Sequence, residues 1–195
     1  RTVVFEINEH LPRLHGVDGS HRVHLSEADF IVEGEHEPLP LRSYKDPTDI
    51  DIAIAKNVLK EIPDGATLSL GVGGVPFTVA KMLAESDLKD LGCHTGTISD
   101  AFLALYEAGK LTNAKKTLHR GKGVTGIAFG SRRLYDWLDQ NPGVMICPLE
   151  YVNSPHTIAQ HDNMISINSC ISVDLYGQVT AESSHLRHIS GTGGQ

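Results

Sequence analysis

Two glycine-rich segments hold the residue types in this sequence that could do chemistry. The first, Gly71-Val72-Gly73-Gly74-Val75, follows a strand-like run and precedes a helical pattern with proline at position 76, a residue tolerated in a first helical turn. Glycine leaves backbone N–H groups unobstructed, and a helix N-terminus stabilises negative charge. We therefore predict that this turn binds an anion or a developing oxyanion; a tight turn with no ligand is the alternative.

The second segment, Gly191-Thr192-Gly193-Gly194-Gln195, closes the printed sequence. Its glycines offer backbone N–H groups in the same way, so Gly191, Gly193, Gly194 and Gln195 are candidates for the same ligand. A flexible tail is the alternative interpretation of this segment.

A polar segment is predicted beside the first glycine turn. Leu91–His94 has the pattern of a short strand, and Thr95–Asp100 follows it with the composition of a turn. In an open α/β sheet, ligands bind where adjacent strand ends open into loops. The sequence thus predicts a binding site between the ends of these two strands.

Other kinds of site find less support in the sequence. The spacing of a dinucleotide fingerprint fails at Pro76, and His94 and Thr95 stand where a ribose-binding acid is required. The pairs His156/His161 and His185/His188 lack a cysteine or carboxylate at zinc spacing, so we expect surface or hydrogen-bonding histidines and no metal. There is no G-x-S-x-G motif, and Glu182 is interpreted as a solvated loop acid.

Composition restricts the class of protein. A formal net charge of −7 gives no electrostatic support for nucleic-acid binding. The three cysteines, Cys93, Cys147 and Cys170, lie on apolar runs without close spacing, which predicts reduced thiols in a cytoplasmic protein. No apolar run approaches the length of a membrane span.

The order of elements predicts an α/β fold with a mainly parallel open sheet and flanking helices. Strand patterns alternate with helical patterns from Thr48 to about Asn163. We expect an antiparallel hairpin from Met164 to Ala181 near the C-terminus. Ahead of these elements, Thr2–Ile7 is predicted as a buried strand and Arg22–Leu25 as a short strand, and the proline-rich residues 34–47 suggest a linker.

Six sequence segments carry a family resemblance when they are taken together in this order: IPDGATLSLGVGGVP (62–76), LGCHTGTISDAF (91–102), LYEAGKLTNAKKTLHRGK (105–122), FGSRRLYDWLDQNP (129–142), EYVNSPHTIAQHDNMISINSCISVDLYGQVTAES (150–183) and ISGTGGQ (189–195). In these segments the chain resembles the butyryl-CoA and 4-hydroxybutyrate CoA-transferase group of acyl-CoA:acetate CoA-transferases, within the acetyl-CoA hydrolase/transferase family. The resemblance runs the length of the chain and is weakest over the first residues.

The resemblance implies a protein of two related α/β domains that bind coenzyme A as a substrate between them. Residues 1–44 would end the amino-terminal domain and include the linker, and residues 45–195 would form most of the carboxy-terminal domain. It implies exchange of CoA between a short-chain acyl-CoA and acetate through a glutamyl-CoA intermediate, in a homodimer. Residues 71–75 would bind CoA and the oxyanion, and residues 191–195 would close over the thioester.

One position departs from the family pattern. The nucleophilic glutamate of the family falls at Gly96, which has no side chain, and Thr97 follows where the family has a larger apolar residue. The resemblance therefore leaves three hypotheses: a CoA-transferase that has lost its nucleophile, a non-catalytic CoA-binding protein, and a slow acyl-CoA hydrolase. Because the family's chain is more than twice as long, we also expect this sequence to be a fragment.

Overall fold

The structure is a computed structural model that describes residues 1–17, 19 and 21–191. Its largest sheet has six strands, which are β2 (His15–Gly16), β4 (Thr67–Leu70), β5 (Gly92–Ile98), β6 (Gly123–Ala128), β7 (Val144–Ile146) and β8 (Met164–Ile167). Their order across the sheet is β2-β7-β6-β5-β4-β8, and every neighbouring pair is parallel. The predicted parallel α/β architecture is confirmed.

In the described part of the chain, six helices pack around this sheet, namely α1 (Asp49–Leu59), α2 (Gly74–Glu85), α3 (Asp100–Glu107), α4 (Arg132–Leu138), α5 (Leu149–Val152) and α6 (Pro155–Ile158). Helices α1 to α4 pack one against the next in chain order, whereas α5 contacts β5 and β6. The two groups of helices therefore cover different parts of the sheet.

Alternating strand residues supply two apolar cores. Leu68 and Leu70 of β4 belong to the larger core with residues of α1 to α4. Val124 of β6 and Val152 of α5 belong to the smaller one, with Met145. Since successive strand residues point to opposite faces, Ser69 faces away from the larger core. Ser69 thus places its hydroxyl on the side of the sheet where α5 and α6 lie.

The amino-terminal strands form a separate two-stranded sheet. Strands β1 (Val4–Ile7) and β3 (Phe30–Glu33) pair in parallel, and Val4 and Phe30 are more than half exposed. The prediction of a buried first strand is wrong, because no second layer covers this sheet in the described part of the chain. The amino-terminal segment is nevertheless joined to the main sheet, since His15–Gly16 of β2 pairs with β7.

The prediction of a short strand at 22–25 is also wrong, because residues 22–25 form no strand in the structure. A 3-10 turn covers Leu25–Glu27 instead. The His24 ring accepts a hydrogen bond from the Ser26 N–H, and the Glu27 carboxylate accepts one from the His24 N–H. This reciprocal capping satisfies the backbone in a turn, which removes the need for a strand partner.

Four short strands near the carboxyl end form two antiparallel hairpins, with β9 (Ser172–Val173) paired to β10 (Val179–Thr180) and β11 (Ser183–Ser184) paired to β12 (Arg187–His188). An antiparallel hairpin in this region is confirmed. It begins later than predicted, because residues 164–167 join the parallel sheet as β8, where they pair with β4. No helix among the described residues has the length and apolarity needed to cross a membrane.

Candidate functional site at the carboxyl edge of the sheet

The first glycine turn lies between β4 and α2 at the carboxyl edge of the sheet. The Gly71 N–H donates to the Ile167 carbonyl of β8 at 2.8 Å, which ties the start of the turn to the neighbouring strand. A Cβ at Gly71 would lie 2.5 Å from Asn168 Oδ1 and 3.3 Å from the Ile167 carbonyl, so a larger residue there would require the Asn168 side chain to move.

The amino terminus of α2 is left open by this turn. Gly73 occupies the N-cap position and has no side chain with which to cap the helix. The N–H groups of the first turn of α2, at Gly74 and Val75, therefore receive no side-chain acceptor in the described part of the chain. Such uncapped N–H groups favour an anion or a polarised carbonyl oxygen.

The second predicted turn is a strand. Residues 95–98 continue β5, with Thr95 opposite Thr125 of β6 and Ile98 opposite Ala128. The prediction of a turn at 95–100 is wrong because the ladder with β6 continues, and β-branched threonines fit a strand well. Gly96 consequently lies within a strand and not on an exposed loop.

A cavity opens beside Gly96 where two strands separate. Strands β4 and β5 pair only at Thr67↔Gly92 and Leu68↔Cys93, after which β4 remains paired with β8 alone. The cavity measures about 550 Å³. Its lining comes from the strands and from α5 and α6: Ser69, His94, Gly96, Val152, Asn153, Pro155, Ile158, Ala159, Met164 and Ser166.

The side chain of Asn153 is the nearest group to Gly96. A Cβ at Gly96 would lie 3.1 Å from Asn153 Oδ1 and 3.5 Å from Nδ2. Asn153 is exposed, and its side chain makes no hydrogen bond within the described residues. A larger residue at 96 would thus point into the cavity and displace this amide by a few tenths of an ångström.

Two buried histidines, His94 and His161, are paired beside the cavity, and His94 lines it. His94 Nε2 lies 2.8 Å from the Val152 carbonyl, to which it must donate. His94 Nδ1 is then an acceptor, and His161 Nε2 donates to it at 3.3 Å. Burial lowers the pKa of His94, and burial followed by the neighbouring His94 lowers the pKa of His161 to about 4. Both rings are therefore neutral at pH 7.

These histidines have no third metal-ligating side chain grouped with them among the described residues. Across residues 1–17, 19 and 21–191, no group of three or more His, Cys, Asp or Glu side chains could hold a metal ion. His161 was expected as a surface or hydrogen-bonding residue, and it is a buried hydrogen-bonding one. Its Nδ1 atom is buried and has no partner among the described residues.

A buried lysine behind the site was not predicted from the sequence. Lys116 is 1% exposed, and its Nζ donates to the carbonyls of Cys93 at 2.8 Å and Lys122 at 2.6 Å. Burial lowers the pKa of Lys116 to about 8, and burial raises the pKa of the Cys93 thiol to about 12. The sequence around Lys116 resembles an exposed basic loop, so no local pattern distinguished this lysine from its neighbours.

The second glycine segment is only partly covered by the structure. Gly191 is exposed, and the Ser190 hydroxyl donates to its carbonyl. Gly193, Gly194 and Gln195 lie outside the described residues, so a shared pocket for the two glycine segments stays a prediction. Glu182 is not among the residues that line the cavity; its carbonyl accepts hydrogen bonds from the Ile189 and Ser190 N–H groups.

Comparison with known proteins agrees with this architecture. Residues 130–195 match the family model described as the acetyl-CoA hydrolase/transferase C-terminal domain. The whole chain is 45% identical to a probable butyrate:acetyl-CoA coenzyme A-transferase of Syntrophomonas wolfei subsp. wolfei, and it covers 43% of that protein. The chain thus spans less than half the length of this curated relative.

Two solved structures show the same fold. The crystal structure of RipA from Yersinia pestis superposes with a TM-score of 0.86 at 36% identity, over 94% of this chain and 41% of that one. A 4-hydroxybutyrate CoA-transferase from Porphyromonas gingivalis superposes with a TM-score of 0.82 at 38% identity, over 91% of this chain and 44% of that one.

The six-stranded parallel sheet with its helices is therefore an α/β fold that this chain shares with part of a CoA-transferase. Sequence and structure agree on a more specific assignment. Residues 130–195 belong to the C-terminal domain of the acetyl-CoA hydrolase/transferase family.

Proposed function

We propose that this chain is part of a protein that moves CoA between a short-chain acyl-CoA, such as butyryl-CoA, and acetate. One observation carries the proposal: an uncapped glycine turn and the Gly96 cavity lie at the same carboxyl edge of one sheet. Relatives named for butyrate and 4-hydroxybutyrate CoA transfer support this choice of substrates. Residues 45–195 would supply this edge, and residues 1–44 would lead into it from a preceding domain.

Each part of the edge has a proposed role. The backbone N–H groups of residues 71–75 would hold CoA and stabilise the oxyanion, with coenzyme A entering as substrate. Residues 191–195 would close over the thioester and exclude water. Gly96 would occupy the position of the nucleophilic glutamate, so this chain cannot form a glutamyl-CoA intermediate there. We further propose a homodimer that works in the cytoplasm, where its thiols stay reduced.

The absence of a carboxylate at Gly96 favours two further candidate functions. A non-catalytic protein that binds CoA would need the glycine turn and no nucleophile. A slow acyl-CoA hydrolase would place water in the cavity beside Gly96. The hydrolase predicts release of the CoA thiol from butyryl-CoA without added acetate, and a rate equal to that of buffer rules it out.

Calorimetry and mass spectrometry separate these possibilities. We expect the chain to release heat on titration with CoA and to form no covalent CoA adduct with butyryl-CoA. The Gly96→Glu variant should bind CoA equally and form a CoA adduct on Glu at position 96. No heat with CoA in either protein would overturn the proposed function, and an adduct on a native glutamate would overturn the role given to Gly96.

A further inference from the structure

A second, smaller cavity lies on the other side of β5 from Gly96. It measures about 110 Å³ and is enclosed by β5, by the starts of β6 and β7, by α3 and α4, and by residues 111–121. Cys93 lines this second cavity, whereas the adjacent His94 lines the cavity beside Gly96, as the alternation of a strand requires. None of the roles proposed for the carboxyl edge involves the second cavity.

Asn113 presents an unused hydrogen-bond donor at the wall of the second cavity. The residue is 6% exposed, and its Oδ1 accepts the Cys93 N–H at 2.8 Å. Because an N–H group cannot donate to an amide NH₂, this contact fixes which end of the side chain is the oxygen. The Nδ2 group has no acceptor among the residues that the structure describes, and Asn113 lines the cavity. An acceptor brought in from outside would satisfy this buried donor.

The backbone holds Asn113 in place. Its N–H donates to the Leu91 carbonyl at 3.0 Å, and its carbonyl accepts the Gly121 N–H at 2.8 Å. Its φ of 57° is in the left-handed region, which asparagine adopts more readily than most residues. The side-chain amide is therefore anchored both at the backbone and at Oδ1. A donor fixed in this way before a ligand arrives lowers the cost of binding.

The rest of the wall is largely apolar. Ile98, Leu111 and Val144 are buried core residues, and the rings of Tyr106 and Trp137 lie with their centroids 5.0 Å apart. No Asp, Glu, Lys, Arg or His borders the cavity in the described part of the chain. A charged ligand would lose its hydration here without gaining a counter-charge, so a neutral ligand is favoured.

The unmet polar groups at this wall are donors. Besides Asn113 Nδ2, the Nε1 group of Trp137 is buried without an acceptor within the described ranges. A carbonyl oxygen only accepts hydrogen bonds, whereas a hydroxyl would bring a further donor that needs a partner of its own. The chemistry of the wall therefore selects a carbonyl group.

The volume restricts the size of the ligand. An apolar protein cavity of about 150 Å³ holds benzene, so this one has room for a ligand of about five or six non-hydrogen atoms. Tyr106 is half exposed, so a ligand of this size can enter past its ring.

We propose that the second cavity binds a small neutral carbonyl compound, with its oxygen on Asn113 Nδ2 and its apolar body against Ile98, Leu111 and Val144. The site goes beyond the proposed function, because it lies on the opposite side of β5 from Gly96 and needs neither CoA nor a carboxylic acid.

The test is a titration with cyclopentanone, a ketone of the required size, followed by tryptophan fluorescence and by the indole N–H signal in ¹⁵N NMR. Trp137 is the only tryptophan in the sequence, so both signals report on this wall. We expect saturable changes with cyclopentanone and none with cyclopentylammonium, which has the same ring but a charge. Signals that change linearly and equally with both compounds, or that do not change at all because the cavity admits only water, would overturn the proposal.

Two variants examine the wall itself. Asn113→Asp keeps an acceptor for the Cys93 N–H and removes the Nδ2 donor, so it should weaken cyclopentanone binding about fivefold, the effect of losing one hydrogen bond. Asn57→Asp, on an exposed face of α1, is the matched control and should bind as the parent does. Retention of the Cys93 amide signal shows that Asn113→Asp is folded.

Gly123→Ala gives an independent check. A Cβ at Gly123 would lie 3.4 Å from Cys93 Cβ, which is an ordinary contact, so the variant should fold and take up space at the wall. Cyclopentanone binding should weaken in Gly123→Ala and remain unchanged in Gly34→Ala, which alters an exposed glycine. Binding that is unaffected by both Asn113→Asp and Gly123→Ala would place the ketone elsewhere and end this inference, whatever the outcome with CoA.

Discussion

The buried Lys116 ammonium should make the free energy of unfolding of this protein vary with pH above neutrality. Burial holds the pKa of Lys116 at about 8, against an ordinary value of 10.5. Between these values the unfolded chain binds more protons than the folded chain, so the free energy of unfolding rises with pH. At about 1.4 kcal/mol for each pKa unit, the charged lysine costs about 3 kcal/mol at neutral pH.

The variant that isolates this cost is Lys116→Met, which keeps a similar stem and removes the charge. Near neutral pH, the stability gained by removing the buried charge is offset, because the Cys93 and Lys122 carbonyls lose their hydrogen-bond donor. Each buried group left unpaired lowers the free energy of unfolding by about 1–3 kcal/mol. From about pH 7.5 to about pH 10, the wild type should gain about 2 kcal/mol of stability relative to the variant.

Urea unfolding at these two pH values measures the difference. The Cys93 thiol titrates over part of the same range with the opposite sign, since its pKa is raised to about 12 and the unfolded chain loses that proton first. The comparison of wild type with variant removes this contribution. Lys60→Met, which alters an exposed lysine after α1, is the control. A wild-type-minus-variant difference that stays flat or falls with pH would refute the reasoning.

Three further predictions concern stability. Phe102→Ala in the fully buried part of α3 should lower the free energy of unfolding by about 3–5 kcal/mol in chemical denaturation, and a loss below about 1 kcal/mol would contradict the assigned core. Gly130→Ala should cost about 1–3 kcal/mol in the same assay, because its Cβ would meet Asp100 and Leu134; an unchanged midpoint would refute this close packing. Stability should fall as pH drops from 6.5 to about 4, since folding keeps His161 neutral while the unfolded chain takes up the proton. His161→Leu should flatten that loss, whereas the exposed His156→Asn should not.

The periodicity of the sequence was sufficient to predict the parallel sheet and its helices. The alternation of Thr67–Leu70 predicted β4, and the helix predicted from Thr48 begins at Asp49 behind a Thr48 cap. These elements are specified by local patterns that a packed core reinforces. The first glycine turn was also located correctly between β4 and α2.

The rest depends on contacts between distant residues. The polar composition of 95–98 suggested a turn, but pairing with β6 at Thr125 and Ile127 makes it a strand. Lys116 has the same local context as exposed lysines, and only the fold carries its stem beneath β5, where a Cβ at Gly92 would lie 2.5 Å from Lys116 Cγ. The separation of β4 from β5 that opens the cavity is likewise set by register, which single-sequence patterns do not contain.

CoA should bind at the carboxyl edge of the sheet, across the glycine turn and the cavity beside Gly96. Titration of the ¹⁵N-labelled chain with CoA, followed by NMR, measures this directly. We expect saturable shifts at the backbone amides of residues 71–75 and of Gly96. Saturable shifts elsewhere with none at residues 71–75, or no shifts at all, would contradict it.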